Sequence, residues 1–373
     1  MGGPQWLAAL LLMAAGAAFA APAPPAQPLK GPGGADYRHR DVIAVSHGTG
    51  ATQYWLFEPA APVPKSAPVV VFLHGWGGVN PDPYRAWIDH IVRRGNIVVY
   101  PRYQADLLTP ASAFTPNAIN AVLSALDVLR ANSARLAPDL KRFALVGHSM
   151  GGVLCANIAA RAEVSGLPAV LAFMSVQPGK TRLLERRAAI VLDDLAHVPA
   201  STLILTLAGD RDRIARDIDA KRIYVETTQV PPRNKNFIIV ASDAYGSPPL
   251  EAHHFSPLAR AGAAAPVIST GRQLSDVRER MLERGGARGD RLPDPTRTDE
   301  RDQDDVPDVG LATVTTPDAL DFYGYWKLFD ALSDAAFYGR NREFALGNTP
   351  QQRYMGTWSD GRPVRELLVF DQP

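Results

Sequence analysis

The sequence has a single cysteine in 373 residues. A lone thiol cannot close an internal disulfide, so stability must come from a packed core rather than from cross-links. That thiol, Cys155, sits in the apolar run Val153-Leu154-Cys155-Ala156 and reads as a packing position. A strong charge of one sign is also missing: 39 basic residues face 38 acidic ones, for a net charge of +1. No basic cluster alternates with aromatics, so a nucleic-acid partner is not expected. No G-x-G-x-x-G or P-loop opens a helix, and no H-x-x-x-H pair or Cys/His cluster has ligand spacing. Neither cofactor nor metal is expected.

Long apolar runs are scarce as well. The one run that stands out is Trp6 to Phe19, followed by the small-residue exit Ala18-Phe19-Ala20. It reads as a signal peptide over residues 1–20, although no Lys or Arg precedes it and only the free amine supplies positive charge. A membrane anchor is the alternative, but a span usually takes about 20 apolar residues and the small-residue exit favours cleavage. The expectation is export, to the periplasm or beyond, with no membrane span left afterwards. Residues 21–36 are rich in Pro, Gly and Ala and read as a flexible spacer. Residues 37–373 read as one domain.

What the sequence does contain is ample core material, at 46% hydrophobic residues. Asp41–Val45 and Gln53–Phe57 flank Ser46-His47-Gly48-Thr49-Gly50, a hairpin signal. Val69–Leu73, Ile97–Tyr100, Phe143–Val146, Val170–Val176, Leu203–Leu207 and Phe237–Val240 are apolar strand runs, the last of these closing the series. Helices are expected over Tyr84–Arg94, over Thr115–Leu136 with Thr115 as cap and Pro116 behind it, and over Gly151–Ala162. The alternation predicts an α/β fold: a mostly parallel sheet covered on both faces, with an antiparallel hairpin at its start. Residues 260–316 break the pattern. Their polar run Thr296–Asp305 lacks the ligand order and turn glycine of a calcium loop and reads as a mobile insertion. Residues 317–373 read as a C-terminal helical extension, with a broad apolar face over Asp318–Tyr338 for packing on the sheet.

The chemistry concentrates in three loops. Gly147-His148-Ser149-Met150-Gly151 fits G-x-S-x-G, directly after a strand and directly before a helix. That context makes it a nucleophile elbow, lifting the Ser149 hydroxyl above the sheet, with the helix N-terminus favouring a developing anion. The loop His74-Gly75-Trp76-Gly77-Gly78 follows an earlier strand, and its glycines let the backbone turn an N–H inward. The N–H groups of Trp76 and Met150 are the expected oxyanion donors. Gly75 and Trp76 are expected to touch substrate, while His74 reads as a structural residue of the loop. An acid should follow a later strand, and Ala208-Gly209-Asp210-Arg211-Asp212 supplies two; Asp212 is preferred and Asp210 reads as a turn residue. A base should follow the last strand, where His253 and His254 compete. His254, followed by Phe255 and then Pro257, is preferred. The order Ser149, Asp212, His254 is that of α/β-hydrolases and differs from chymotrypsin and subtilisin.

Val71-Phe72-Leu73-His74-Gly75-Trp76-Gly77-Gly78 together with Gly147-His148-Ser149-Met150-Gly151-Gly152 resembles the α/β-hydrolase superfamily, within it the exported chlorophyllase-like, dienelactone hydrolase-like and cutinase-like esterases. The likeness covers roughly residues 40–257. It implies hydrolysis of a small-molecule carboxylic ester through an acyl-enzyme, without cofactor. The part beyond residue 257 departs from the compact members, and polyester-degrading cutinase relatives often carry a C-terminal disulfide that this chain cannot form. The link between the strands ending at Val176 and starting at Leu203 is short, with room for one helix over Thr181–Asp194, so no large lid is expected. The same three groups would also suit an amidase or peptidase, and an exported binding protein with a disused site is the reading outside enzymes.

Overall fold

Val69 to Leu73 have no exposed surface at all. In the computed structural model, which describes residues 21–133, 136–179, 190–261 and 315–373, they form the inner part of strand β3 (Ser66–Leu73). A β-branched run without a polar side is stable as a strand only when both faces are covered. Here they are. Val70 and Phe72 belong to one core with helix α1 (Arg85–Arg93), whereas Val69, Val71 and Leu73 belong to a second with α2 (Phe114–Ala131) and α3 (Met150–Arg161).

The remaining strands are β1 (Asp41–His47), β2 (Tyr54–Ala60), β4 (Ile97–Pro101), β5 (Ala137–His148), β6 (Ala172–Val176), β7 (Leu203–Gly209), β8 (Lys235–Val240) and β9 (Leu368–Phe370). The described residues make one nine-stranded sheet in the order β1-β2-β4-β3-β5-β6-β7-β8-β9. β4 through β8 run parallel, β1 and β2 form the antiparallel hairpin at one edge, and β9 pairs antiparallel with β8 at the other. Helix α4 (Ile218–Glu226) lies between β7 and β8 in the chain, and α5 (Lys327–Tyr338) joins α1 on the first core. Because β3, β5, β6, β7 and β8 are parallel, their C-terminal ends share one edge, where open α/β sheets bind ligands.

Several expected boundaries move. Phe237–Val240 is not the last strand, since β9 adds an edge to it. β5 begins at Ala137 rather than Phe143, because Ala137–Asp139 pair with Ser66–Pro68 across a register shift at Pro68/Val69. Helix α2 starts at Phe114 and stops at Ala131, which puts Thr115 inside its first turn instead of at the cap. Asp318–Tyr338 is not one α-helix: Leu320–Trp326 is a π-helical run that passes into α5. There Gly33 approaches so closely that a Cβ on it would lie 2.1 Å from the Phe322 carbonyl oxygen.

Residues 21–36, read as a flexible spacer, are tied down instead. The Ala23 N–H donates to Ser359 Oγ at 2.9 Å, Ser247 N–H to the Pro22 carbonyl at 2.9 Å, and Gly33 N–H to Asp330 at 2.8 Å. A proline-rich segment is already extended, so docking it orders little that was free. The signal peptide expected over residues 1–20, Thr296–Asp305 with nearly all of the expected 260–316 insertion, and residues 181–189 of the helix expected over Thr181–Asp194 lie outside the described residues. No helix among the described residues is long and apolar enough to cross a membrane.

Candidate active site

The turn between β5 and α3 is crowded by construction. A Cβ on Gly147 would lie 2.3 Å from the Gly151 carbonyl oxygen, and one on Gly151 would lie 2.1 Å from that of Leu73. Only glycine lets the strand, the turn and β3 come this close. Ser149 between them has φ 55° and ψ −121°, a conformation that costs an L-residue about 1–3 kcal/mol. Its N–H donates to the Val176 carbonyl at 2.9 Å, which anchors the turn to β6.

Two loops bring partners to this serine. His254 Nε2 lies 3.0 Å from Ser149 Oγ, and His254 Nδ1 lies 2.8 Å from Asp212 Oδ2. The other oxygen of Asp212 accepts the N–H groups of Ile214 and Ala215, both at 2.9 Å. Burial alone would raise the Asp212 carboxyl, but the hydrogen bond and charge of His254, together with those two N–H groups, hold it below the usual carboxylate range. An ionised Asp212 keeps the proton on Nδ1, so Nε2 presents a lone pair to the serine hydroxyl. Ser149, His254 and Asp212 are 2%, 4% and 6% exposed, so their charges and protons are largely shielded from bulk water.

The competing residues sit elsewhere. His253 is exposed and turns its ring to the Phe255 N–H. Asp210 accepts the Ser242 N–H at 2.9 Å and the Ser242 hydroxyl at 2.5 Å, while Ser242 Oγ in turn accepts the Ala252 N–H at 2.9 Å. Asp210 therefore holds the start of the histidine loop. Gly209, the glycine of the turn that carries Asp212, is needed for the same junction: a Cβ there would lie 2.0 Å from the Ala252 carbonyl oxygen.

The loop after β3 turns its backbone toward Ser149; the Ser149 Cβ would be 3.3 Å from a Cβ on Gly75. The Gly75 N–H donates to Tyr84 Oη at 2.9 Å, Gly77 N–H to Gln104 Oε1 at 3.0 Å and Gly78 N–H to the Gly75 carbonyl at 3.0 Å. Met150 is the first residue of α3, and its N–H has no carbonyl one turn earlier in the helix. His74 stacks on Tyr103 with ring centroids 4.0 Å apart and reaches the Arg102 carbonyl, a loop-holding arrangement. Trp76 is half-buried against the second core. Cys155 is buried, and burial pushes its thiol well up. Among the described residues no group of three His, Cys, Asp or Glu side chains is arranged to hold a metal.

Residues 70–218, from β3 to the start of α4, match the family model of the alpha/beta hydrolase fold. The chain has an α/β-hydrolase fold. No curated protein matches it. Among solved structures it is similar to one of two fungal esterases from Rhizomucor miehei, at 16% identity and TM-score 0.45 over 66% of this chain and 84% of that one. It is also similar to a thermostable esterase from Pseudomonas putida ECU1011, at 18% identity and TM-score 0.41 over 54% of this chain and 72% of that one. In this α/β-hydrolase fold the serine turn, the carboxylate turn and the histidine loop follow β5, β7 and β8 in chain order.

Three residues at the site had no reading from sequence: Tyr84, His148 and Gln177. His148 was visible only as the variable position of the serine motif. Tyr84 and Gln177 reach their partners across 64 and 76 residues of chain, beyond any local pattern.

Proposed function

We propose that the protein is a serine hydrolase that cleaves carboxylic esters through an acyl-enzyme. The observation that carries this reading is the continuous path Ser149 Oγ, His254 Nε2, His254 Nδ1, Asp212 Oδ2, with steps of 3.0 Å and 2.8 Å between side chains. His254 takes the proton of Ser149 as the oxygen attacks the ester carbonyl, and Asp212 stabilises the imidazolium that forms. The N–H groups of Met150 and Trp76 receive the oxyanion, each worth about 3 kcal/mol in the transition state. Gly75 and Trp76 flank the substrate. His254 then protonates the leaving alcohol, and water, activated by the same imidazole, releases the acid.

The test is labelling with a fluorophosphonate followed by mapping of the adduct. We expect one adduct, on Ser149, lost in Ser149→Ala together with hydrolysis of p-nitrophenyl esters, by about 10⁴-fold or more. Folded protein that takes no label would reject the hydrolase reading. A labelled enzyme that prefers anilides to esters would replace the esterase by an amidase using the same groups.

A further inference from the structure

We infer that His148 and Gln177 are positioning residues that clamp the loop carrying His254, and that the Tyr84 hydroxyl links this clamp to the loop carrying Trp76. The kinetic part rests on the hydrolase reading above; the hydrogen-bond part does not.

Two neighbouring carbonyls of the histidine loop are gripped from the ends of two neighbouring strands. His148, at the end of β5, places Nε2 at 2.7 Å from the His254 carbonyl oxygen. Gln177, directly after β6, donates from Nε2 to the His253 carbonyl at 3.0 Å. Both side chains are buried, at 2% and 0% exposure. Gln177 is held at φ 48°, a left-handed conformation that a glutamine adopts only when its surroundings impose it. Its N–H is fixed to the Leu207 carbonyl at 2.8 Å. The amide has room because residue 209 is glycine: a Cβ there would lie 2.8 Å from Gln177 Nε2. Strain in the backbone and a missing side chain opposite both serve one hydrogen bond to the histidine loop.

For His148 the position of the ring proton follows from its two partners. Tyr84 Oη lies 2.8 Å from His148 Nδ1 and accepts the Gly75 N–H at 2.9 Å. A hydroxyl has one proton. The His254 carbonyl can only accept, so the neutral His148 ring carries its proton on Nε2; Nδ1, left with a lone pair, accepts the Tyr84 hydroxyl proton, while that hydroxyl oxygen accepts the Gly75 N–H. The reverse tautomer would set a lone pair against a carbonyl oxygen at 2.7 Å. The ring stays neutral: burial, with the adjacent charge of His254, pushes His148 down to about 3. The titratable groups facing it are Tyr84, His254 and Asp212. The path Gly75 N–H, Tyr84 Oη, His148, His254 carbonyl thus fixes the base loop against the residue next to Trp76. One hydroxyl sets the distance between the proton acceptor and an oxyanion donor.

Nitrogen-15 NMR of histidine-labelled full-length protein tests the clamp without reference to activity. We expect His148 to be neutral with the proton on Nε2 from about pH 5 to about pH 9. A protonated ring or an Nδ1–H tautomer in that window overturns the proposal. Tyr84→Phe keeps the ring and removes both hydroxyl bonds; it should leave the proton on His148 Nε2, shift the Nδ1 resonance as that nitrogen loses its donor, and lower kcat on p-nitrophenyl butyrate about tenfold with KM within about twofold. His148→Gln, which retains an N–H donor, should keep kcat within about threefold of the parent, whereas His148→Leu should fall about tenfold or more. Unchanged kcat in folded Tyr84→Phe and His148→Leu would overturn the coupling. If Ser149 takes no fluorophosphonate while His148 shows the expected tautomer, the hydrolase reading fails and the clamp stands.

Discussion

Asp212 divides its two carboxylate oxygens between two tasks. Oδ1 is committed to the N–H groups of Ile214 and Ala215, and Oδ2 to His254 Nδ1. In Asp212→Asn the amide oxygen stays with the two N–H donors, so the NH₂ faces His254. The imidazole must then accept on Nδ1 and carry its proton on Nε2, where it opposes the Ser149 hydroxyl instead of receiving its proton. We expect kcat on p-nitrophenyl esters to fall about 10³–10⁴-fold with little change in KM. A variant that keeps a tenth or more of the parent kcat would remove Asp212 from the proposed mechanism. The substitution should also show in stability. The folded-state carboxyl is held below its unfolded value near 4, so the stability it contributes is present above about pH 4 and lost as pH falls through the folded value. The unfolding free energies of parent and variant should converge in acid.

At the scale of the element, the junction between the π-helical run and α5 depends on a buried amino group. Lys327 Nζ donates to the carbonyls of Gln351, Gln352 and Tyr354 at 3.3, 2.8 and 2.5 Å, and the residue is 3% exposed. This one side chain fastens the helix to the C-terminal segment. Lys327→Met keeps the apolar stem and orphans three acceptors, which should destabilise the fold by about 2–4 kcal/mol. Burial pushes the ammonium down to about 7. The unfolded chain, with a lysine near 10.4, therefore binds more protons between those values, and folding becomes more favourable as pH rises through them. The advantage of the parent over Lys327→Met should grow from pH 7 to about pH 9, measured by urea unfolding; a gap that shrinks over that range would contradict the buried-amine account.

What the sequence made legible at this scale follows from where the specifying contacts lie. Strands buried on both faces announce themselves as apolar runs, and Val69–Leu73, Ile97–Tyr100 and Leu203–Leu207 each fall inside an observed strand. β9 does not announce itself: it has three residues, its burial alternates exposed and half-buried, and only its pairing with β8 defines it. The polar start of β5 is likewise a strand because Ser66–Pro68 lie alongside it, not because of its own pattern. The same holds in the site. Ser149 is marked by two glycines that its turn requires, and the two acidic and two histidine choices were narrowed by chain order. The separation of His254 from His253, one inward and one outward, depends on a loop whose path is set by Gly209, Ser242, His148 and Gln177. None of those four contacts is local in sequence.

For the whole molecule, the matched hydrolase segment ends at residue 218 and the sequence likeness near 257, yet the core does not end there. Leu320, Tyr325, Trp326, Leu328, Phe329, Leu332, Trp358 and Leu367 are buried in the same cluster as Phe72, Val146, Met174 and Ile238 of the sheet. Trp358 also donates to Asp243, and Tyr325 shares a 2.7 Å hydrogen bond with Ser256, two residues beyond His254. The C-terminal region is therefore an integral part of one hydrophobic core and a support for the histidine loop, and it is not a cover that could be removed to open the site. A chain ending at Pro257 should lose cooperative unfolding, bind a hydrophobic dye and lose near-ultraviolet dichroism while keeping much of its far-ultraviolet signal. It should take fluorophosphonate on Ser149 slowly or not at all, because the imidazole is no longer held at hydrogen-bond distance. A shortened chain that melts cooperatively within a few degrees of the parent, and labels as fast, would show instead that residues 315–373 are an appendage to a hydrolase already complete at Pro257.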